Sequence, residues 1–240
     1  MSQPRYIQHI IEPQKLLLSW QPSRESGYCR LRRFVAELIS QDGKVHLEYL
    51  KNTSDYIAAC NDGFIDYPGF TSDNSRHDNV LPAFMRRLPP RKRNDFGRFL
   101  TSLRINPADS NKISDFALLG YSGAMLPGDG FTIINPFENA VAPFELIIDI
   151  QGYRHFAGNL PYGKFNTDMR VTFKPEPTNP QDSNAIMVIV EGEQIGYVCR
   201  GLNKSIKSWL ESGLTLNAYI ERINGTEEYP RIYAYTEVRG

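Results

Sequence analysis

The chain has 240 residues, 41% of them hydrophobic and 22% charged, which is enough for a sizeable core and argues against global disorder. The 27 Lys and Arg residues balance 27 Asp and Glu residues, so no field of the whole molecule draws it onto nucleic acid or a membrane, and any polyanion binding must be local. Three cysteines without a CxxC pair argue against a disulfide framework and a thiolate metal site, and no apolar run is long enough for a signal core or a membrane span. We therefore expect a soluble, cytoplasmic protein.

The first part of the chain has a mixed pattern. Residues 31–39 and 44–50 are apolar runs on either side of "SQDG", which predicts a β-hairpin, whereas the assignment of residues 56–64 is less certain. The stretch "TSDNSRHDN" at 71–79 has the polarity of an exposed loop. A helix is predicted over residues 91–104, because one helical face collects the apolar side chains Phe96, Phe99, Leu100 and Leu103.

The second part is a succession of strands. Six segments are rich in β-branched and aromatic residues, namely 144–150, 169–173, 185–190, 194–199, 214–223 and 231–238. "EGEQ" at 191–194 predicts a hairpin turn, and "SG" at 212–213 ends a short helix whose apolar residues are Leu202, Ile206, Trp209 and Leu210. Six strands and one helix predict a small closed or nearly closed β-barrel, with the domain boundary near residues 139–143.

Catalytic signatures are absent from the sequence. There is no GxGxxG, GxxxxGK[ST], HExxH or GxSxG motif. The four histidines are scattered, without a second ligand-type residue at zinc spacing. We expect a non-enzymatic protein without a metal or another cofactor.

A run of cations stands out in the first part, "RRLPPRKRNDFGR" at residues 86–98. With only one acid, Asp95, between them, such cations could meet phosphates or an acidic partner surface. The alternative is an ordinary solvated helix face, which is the commoner role of a charge run. The possible basic patch consists of Arg86, Arg87, Arg91, Lys92, Arg93 and Arg98.

Three segments of the second part together resemble a HIRAN domain. They are "IIDIQGYRHFAG", "MRVTFKPEPTNPQDSNAIMVIV" and "QIGYVCRGLNKSIKSWLESG", and the resemblance covers residues 145–240. It implies an OB-like barrel that engages single-stranded DNA and captures a free 3′ end in a pocket. The fold expected for the whole chain is therefore α+β and β-rich, with a mixed domain at 1–140 and a small OB-like barrel with one or two short helices at 145–240.

The resemblance also implies roles for single residues. Arg154 would meet a backbone phosphate, and His155 and Phe156 would lie against the terminal bases. Asn179 and Asp182 would line the pocket, with Asp182 accepting a hydrogen bond from the terminal 3′ hydroxyl. Stacking on "YRHF" suits sequence-tolerant binding, since each stacked base contributes about 1–3 kcal/mol. A weaker candidate for a further stacking ring is Tyr229 in "EEYPRIYAY".

Two positions depart from the DNA-binding members of this family. Gln181 stands where an aromatic residue often precedes the pocket aspartate, and Thr178 stands where an asparagine is common. The loss of one ring should weaken affinity. The structural alternative is that Asn179, Asp182 and Asn184 only cap the turn into the next strand, while Phe156 fills the barrel core.

The first part is similar to the N-terminal subdomain of HipA-type toxin kinases over residues 28–135. The similarity rests on "RRFVAELISQDGKVHLEYL", "LPAFMRRLPP" with Arg98, and "SDFALLGYSGAM". No kinase core follows, so kinase activity is not implied. The similarity implies a protein interaction module, for which a HipA-like kinase or another protein is the expected partner, and the alternative is a scaffold for the barrel.

Three hypotheses on function follow. The preferred one is a non-enzymatic protein whose HIRAN-like domain binds single-stranded DNA and whose N-terminal domain binds a partner. The second is an antitoxin-like regulatory subunit of a HipA-type kinase in a bacterial toxin–antitoxin or phage-defence system. The third and least favoured is a metal-dependent nuclease, because the acidic residues near the motif, Asp168, Glu176 and Asp182, have no spacing that forces them together.

Overall fold

The structure is a computed structural model that describes residues 5–23, 25–28, 31–156 and 158–240. Within these residues the chain forms eleven strands and five α-helices, which confirms the predicted β-rich α+β class. It divides into two compact units. One consists of residues 12–139, and the other combines residues 140–240 with residues 5–11.

The unit of residues 12–139 is built on a five-stranded antiparallel sheet in the order β4-β3-β2-β1-β5. The predicted hairpin at "SQDG" is confirmed, because β2 and β3 pair directly, and both turn residues, Asp42 and Gly43, have positive φ. The strands are β1 Lys15–Trp20, β2 Arg33–Gln41, β3 Lys44–Tyr49, β4 Arg76–His77 and β5 Phe131–Ile134.

Four α-helices accompany this sheet, namely α1 Ser54–Asn61, α2 Leu81–Met85, α3 Phe96–Ser102 and α4 Asp115–Ser122. The uncertain segment at 56–64 is thus largely helical, and Thr53 caps its N-terminus by accepting from the backbone of Tyr56. The predicted helix at 91–104 is shorter than expected. Residues 91–95 form turns, in which the backbone N–H groups of Arg93 and Phe96 donate to the carbonyl oxygens of Pro90 and Arg93.

The second unit contains β6 Phe144–Ile150, β7 Arg170–Pro175, β8 Ile186–Val190, β9 Glu193–Tyr197, α5 Arg200–Glu211, β10 Thr215–Gly225 and β11 Pro230–Arg239. These match the six predicted strands and the predicted helix within a few residues. The sheet order is β6-β11-β10-β7-β8-β9. The backbones of Gln151 and Tyr197 exchange two hydrogen bonds of 2.8 Å, so the two edge strands meet and the barrel is nearly closed.

Residues 5–11 pack on this barrel. Ile7 is buried, and the hydroxyl of Tyr235 donates to the carbonyl oxygen of Tyr6 at 3.0 Å. The backbone N–H groups of Gln8 and His9 donate to the Glu145 carboxylate. The domain limits 1–140 and 145–240 stay predictions, and in this structure residues 5–11 are part of the second unit.

Two further findings concern membrane spans and cysteines. No helix of the described residues is both long and apolar enough to cross a membrane. Cys60 and Cys199 carry thiols, and Cys29 lies outside the described residues.

Candidate nucleic-acid interface

The "YRHF" segment follows β6 as a short 3-10 helix, Tyr153–His155. Tyr153 is buried, and its hydroxyl donates to the carbonyl oxygen of Leu160 at 3.0 Å. This anchor fixes the backbone, while the side chains of Arg154 and His155 are exposed and that of Phe156 is half-buried. The segment therefore presents a cation and two rings at the surface, beside the closure of the barrel.

The loop between β7 and β8 is organised by its own polar side chains. The Oδ1 atom of Asn179 accepts from the backbone N–H groups of Gln181 and Asp182 at 2.9 and 3.2 Å. Oδ1 of Asp182 accepts from the backbone N–H of Asn184 at 2.9 Å. Asn179 and Asp182 thus cap the turn that leads into β8, and both also reach side chains outside the loop.

Tyr197 of β9 connects this loop with the "YRHF" segment. Its ring lies edge-on to the ring of Phe156, with 5.7 Å between the centroids and 69° between the planes. Its hydroxyl donates to Oε2 of Glu176 at 2.9 Å. Nδ2 of Asn179 donates hydrogen bonds both to that hydroxyl and to Oε2 of Glu176. Two segments some twenty residues apart in sequence therefore meet at one ring.

The Tyr197 hydroxyl is held in its protonated form. Burial raises its pKa, and the adjacent Glu176 carboxylate raises it further, against an opposing hydrogen bond from Asn179. The hydroxyl therefore remains a donor at neutral pH, so the contacts between Tyr197, Glu176 and Asn179 persist.

The Asp182 side chain accepts a hydrogen bond from α5. Nδ2 of Asn203, a residue only 3% exposed, donates to Oδ2 of Asp182 at 2.8 Å. Each carboxylate oxygen thus has one protein donor, and each can accept a second one. Because Asp182 is only half-buried, a ligand hydroxyl can approach a carboxylate whose orientation is already fixed.

Arg154 and Tyr229 form a second contact of the "YRHF" segment. The guanidinium carbon of Arg154 lies 5.4 Å from the ring centroid of Tyr229, a cation–π geometry. Tyr229 is 47% exposed and belongs to the turn between β10 and β11. The contact places a guanidinium and an aromatic ring side by side at the surface.

The predicted binding residues thus fall into two groups. In the first group, Phe156 and Asn179 contact Tyr197, and Asp182 contacts α5. In the second group, Arg154 pairs with Tyr229. His155, between Arg154 and Phe156 in sequence, is exposed. Sequence reasoning missed Tyr197 and Asn203 as members of this site. Tyr197 lies in the quoted "IGYV" stretch, but Asn203 carries no sequence signal, because only the packing of α5 against the loop brings it to Asp182.

The possible basic patch needs a correction. The side chain of Arg87 is 5% exposed and binds Oδ2 of Asp129 at 2.6 Å and the carbonyl oxygen of Ala124 at 2.7 Å. Arg91 binds Oδ1 of Asp115 at 2.7 Å in addition to its two carbonyl contacts. Arg87 is therefore a buried structural residue and not part of a surface patch, whereas Arg91 is exposed but engaged by these three local contacts.

The other four cations of that run, Arg86, Lys92, Arg93 and Arg98, are exposed. Arg86, Arg93 and Arg98 line an open depression of about 650 Å³, together with Asp95. Arg93 makes a two-point contact with Asp95 at 2.9 and 2.7 Å. The exposed positive charge of this surface is therefore smaller than the sequence suggests.

Each of the acidic residues considered for a nuclease has its own protein partner. Asp168 pairs with Arg5 at 2.7 Å, whereas Glu176 and Asp182 bind Tyr197 and Asn203 respectively. In the part of the chain that the structure describes, no group of three or more His, Cys, Asp or Glu side chains could hold a metal ion.

Comparison with known proteins places the barrel in a family. Residues 143–237 match the family model of the HIRAN domain. This segment is a HIRAN domain. A search of curated proteins found no match. The resemblance of residues 28–135 to the HipA-type subdomain stays a prediction.

Two solved structures are similar to the HIRAN domain of this chain. One is the HIRAN domain of human HLTF, 19% identical, with a TM-score of 0.34 over 39% of this chain and 74% of that one. The other is a protein from Lactobacillus plantarum, 18% identical, with a TM-score of 0.33 over 39% of this chain and 92% of that one.

Proposed function

We propose that the HIRAN domain binds single-stranded DNA by a 3′ end and performs no chemical step on it. One observation carries the proposal, namely that Tyr197 brings the exposed "YRHF" segment and the polar loop of Asp182 together at one surface. The site resembles the sites that bind single strands without sequence preference, which combine stacking rings with cations for the backbone.

The chemistry of the two groups is complementary. His155, Phe156 and Tyr229 offer rings for bases, and Arg154 offers a guanidinium for a phosphate. A carboxylate such as Asp182 repels phosphates, so it favours a position where no phosphate follows. A terminal 3′ hydroxyl meets this condition, since it can donate to the carboxylate that Asn203 holds in place.

The departures at Thr178 and Gln181 affect affinity rather than the shape of the loop. Both side chains are exposed. Gln181 takes part in the turn through its backbone N–H, which donates to Asn179. The loop therefore keeps its hydrogen bonds without an aromatic residue at 181, and we expect weaker binding by roughly the 1–3 kcal/mol of one stacked base.

The experiment compares fluorescent single strands with a free or a phosphorylated 3′ end. We expect at least tenfold preference for the free end, because a hydrogen bond to a charged group contributes about 1.5–3 kcal/mol. Asp182→Asn keeps an oxygen for the N–H of Asn184 but removes the charge, and it should abolish the preference. Glu193→Gln, which removes an exposed carboxylate at the start of β9, should retain it.

Two results would contradict the proposal. Equal affinity for free and blocked ends, unchanged in Asp182→Asn, would exclude end capture but leave single-strand binding in place. The absence of any binding by the unmodified protein at low salt would exclude single-strand binding altogether.

A further inference from the structure

The helix α5 carries three cations along one line. Arg200, Lys204 and Lys207 have the spacing i, i+4, i+7, so they lie on one face of the helix. The opposite face is buried through Leu202, Ile206 and Trp209. Arg200 and Lys204 are exposed and Lys207 is half-buried. We call these three residues the α5 stripe.

The α5 stripe lies beside the Asp182 loop. Asn203, one residue before Lys204, donates to Asp182 at 2.8 Å. Lys207 itself reaches Oδ1 of Asn184 at 3.4 Å. The loop that holds the proposed 3′ end therefore runs along the edge of the cationic face, and the stripe is a neighbour of that pocket.

The proposed pocket contains more carboxylates than cations. Glu176 and Asp182 place two carboxylates where the end of a polyanion is proposed to bind. Arg154 is the one cation that the proposed site contributes, so the local balance is unfavourable for DNA without further cations. Among the described residues, no carboxylate lies within ion-pair distance of Lys204 or Lys207, so both charges are available to phosphates.

We propose that Lys204 and Lys207 bind phosphates of the DNA strand whose 3′ end occupies the Asp182 pocket, with Arg200 continuing the same track. The inference rests on the proposed function and adds the surface that holds the backbone leading to the end. The carboxylate selects the terminus, and the α5 stripe supplies affinity that does not depend on sequence.

The alternative is that the stripe is only the solvated face of an amphipathic helix. The two possibilities differ in the salt dependence of binding. Each phosphate neutralised on a single strand contributes about 0.7 to the slope of log affinity against log salt concentration. A solvated face contributes nothing to that slope.

The experiment measures the affinity for a fluorescent single strand with a free 3′ end at several salt concentrations. The double variant Lys204→Gln, Lys207→Gln should reduce the steepness of the salt slope by about 1.4, the sum for two phosphates. It should keep the preference for a free over a phosphorylated 3′ end, since Asp182 and Asn203 are unchanged. The control Lys44→Gln, Lys112→Gln removes the same charge from exposed positions in the 12–139 unit and should leave slope and preference unchanged.

Each outcome supports or overturns the inference. End-selective binding with an unchanged slope in the α5 variant overturns the phosphate track and leaves the proposed function intact. An equal loss of slope in the control variant also overturns it, because the effect would then belong to total charge. If the unmodified protein binds no single strand, the proposed function and the phosphate track both fall.

Discussion

Arg87 shows how a residue in a run of cations can be a buried structural element. Its guanidinium donates to the carbonyl oxygen of Ala124 and to the carboxylate of Asp129, with a longer contact to the carbonyl oxygen of Phe131. The planar fork of arginine fits several acceptors at once, which a lysine cannot do. Arg87 therefore links the segment after α2 to the start of β5.

We expect Arg87→Ala to lower the free energy of unfolding of the 12–139 unit by about 3–5 kcal/mol, the usual cost of removing one partner of a buried ion pair. Arg87→Lys should recover only a part of this loss. Chemical denaturation followed by Trp20 fluorescence in a Trp209→Phe background measures it, since Trp20 pairs with Phe131 across β1 and β5. The exposed neighbour is the control, and Arg86→Ala should stay within about 0.5 kcal/mol. A similar loss in both variants would mean that the buried contacts of Arg87 contribute little.

Residue identity alone could not separate Arg87 and Arg91, which bind carbonyl oxygens of the fold, from the other cations beside them. Their partners Asp129, Ala124 and Ser110 lie some twenty to forty residues away in sequence, so only the fold decides which cation binds structural partners. The "YRHF" and "NPQD" stretches were different, because fixed residue types at fixed spacing identified the family. Even there, the sequence did not show that Tyr197 and Asn203 bind the loop.

At the scale of elements, β9 closes the barrel through a glycine. A Cβ at Gly196 would overlap the carbonyl oxygen of Gln151 and lie 2.8 Å from Cγ2 of Ile150. The backbone hydrogen bonds between Gln151 and Tyr197 depend on this close approach. The same approach sets the position of Tyr197 against Phe156.

Gly196→Ala should destabilise the HIRAN domain by about 1–3 kcal/mol, the range for overpacking at a site that cannot expand. It should also expose the amides of Gln151 and Tyr197 to hydrogen exchange, which NMR measures residue by residue. Gly192→Ala in the adjacent hairpin is the control, because it strains a positive φ but meets no atom within 4 Å. Retained protection at Gln151 in Gly196→Ala would show that closure does not need the glycine.

The elements themselves were predictable to different degrees. The strands of the barrel have turn residues at their ends. The hairpin predicted at "EGEQ" is confirmed, because β8 pairs with β9 and the turn residues Glu191 and Gly192 have positive φ. The helix α4 was missed, because its segment "DFALLGYS" is apolar on several sides and has no clear helical period. The predicted helix at 91–104 was too long, since residues 91–95 form turns in which the N–H of Phe96 donates to the carbonyl oxygen of Arg93.

At the scale of the whole molecule, the start of the chain and the HIRAN domain form one unit around Glu145. The Glu145 side chain is 0% exposed and accepts from the backbone of Gln8 and His9, from the His9 ring, and from Arg239 at 2.8 Å. Local sequence patterns could not show this, because the partners are more than ninety residues apart. A carboxylate without exposure must be paired, so its donors fix residues 5–11 to β6.

The pKa of Glu145 makes this attachment sensitive to acid. Burial alone would raise the pKa, but the N–H groups of Gln8 and His9 outweigh burial and hold it below the ordinary value of 4.5. The unfolded chain therefore binds the proton more readily than the folded one. The stability due to this group is present above pH 4.5 and is lost as the pH falls through the lower pKa of the folded state.

We expect Glu145→Gln to lower the free energy of unfolding at pH 7 by about 2–3 kcal/mol, since it weakens several hydrogen bonds to a charged acceptor. The difference between the variant and the unmodified protein should shrink as the pH falls below 4.5, because protonation then removes the same charge from Glu145. Urea titrations at pH 7 and at acid pH measure both values, and Trp209 fluorescence in a Trp20→Phe background reports this unit alone, since Trp209 packs on Phe144.

Glu237→Gln, opposite Glu145 on β11 and partly exposed, should change stability by less than about 1 kcal/mol at either pH. A constant effect of Glu145→Gln across this range would show that the charge of Glu145 does not attach the N-terminal segment to the HIRAN domain.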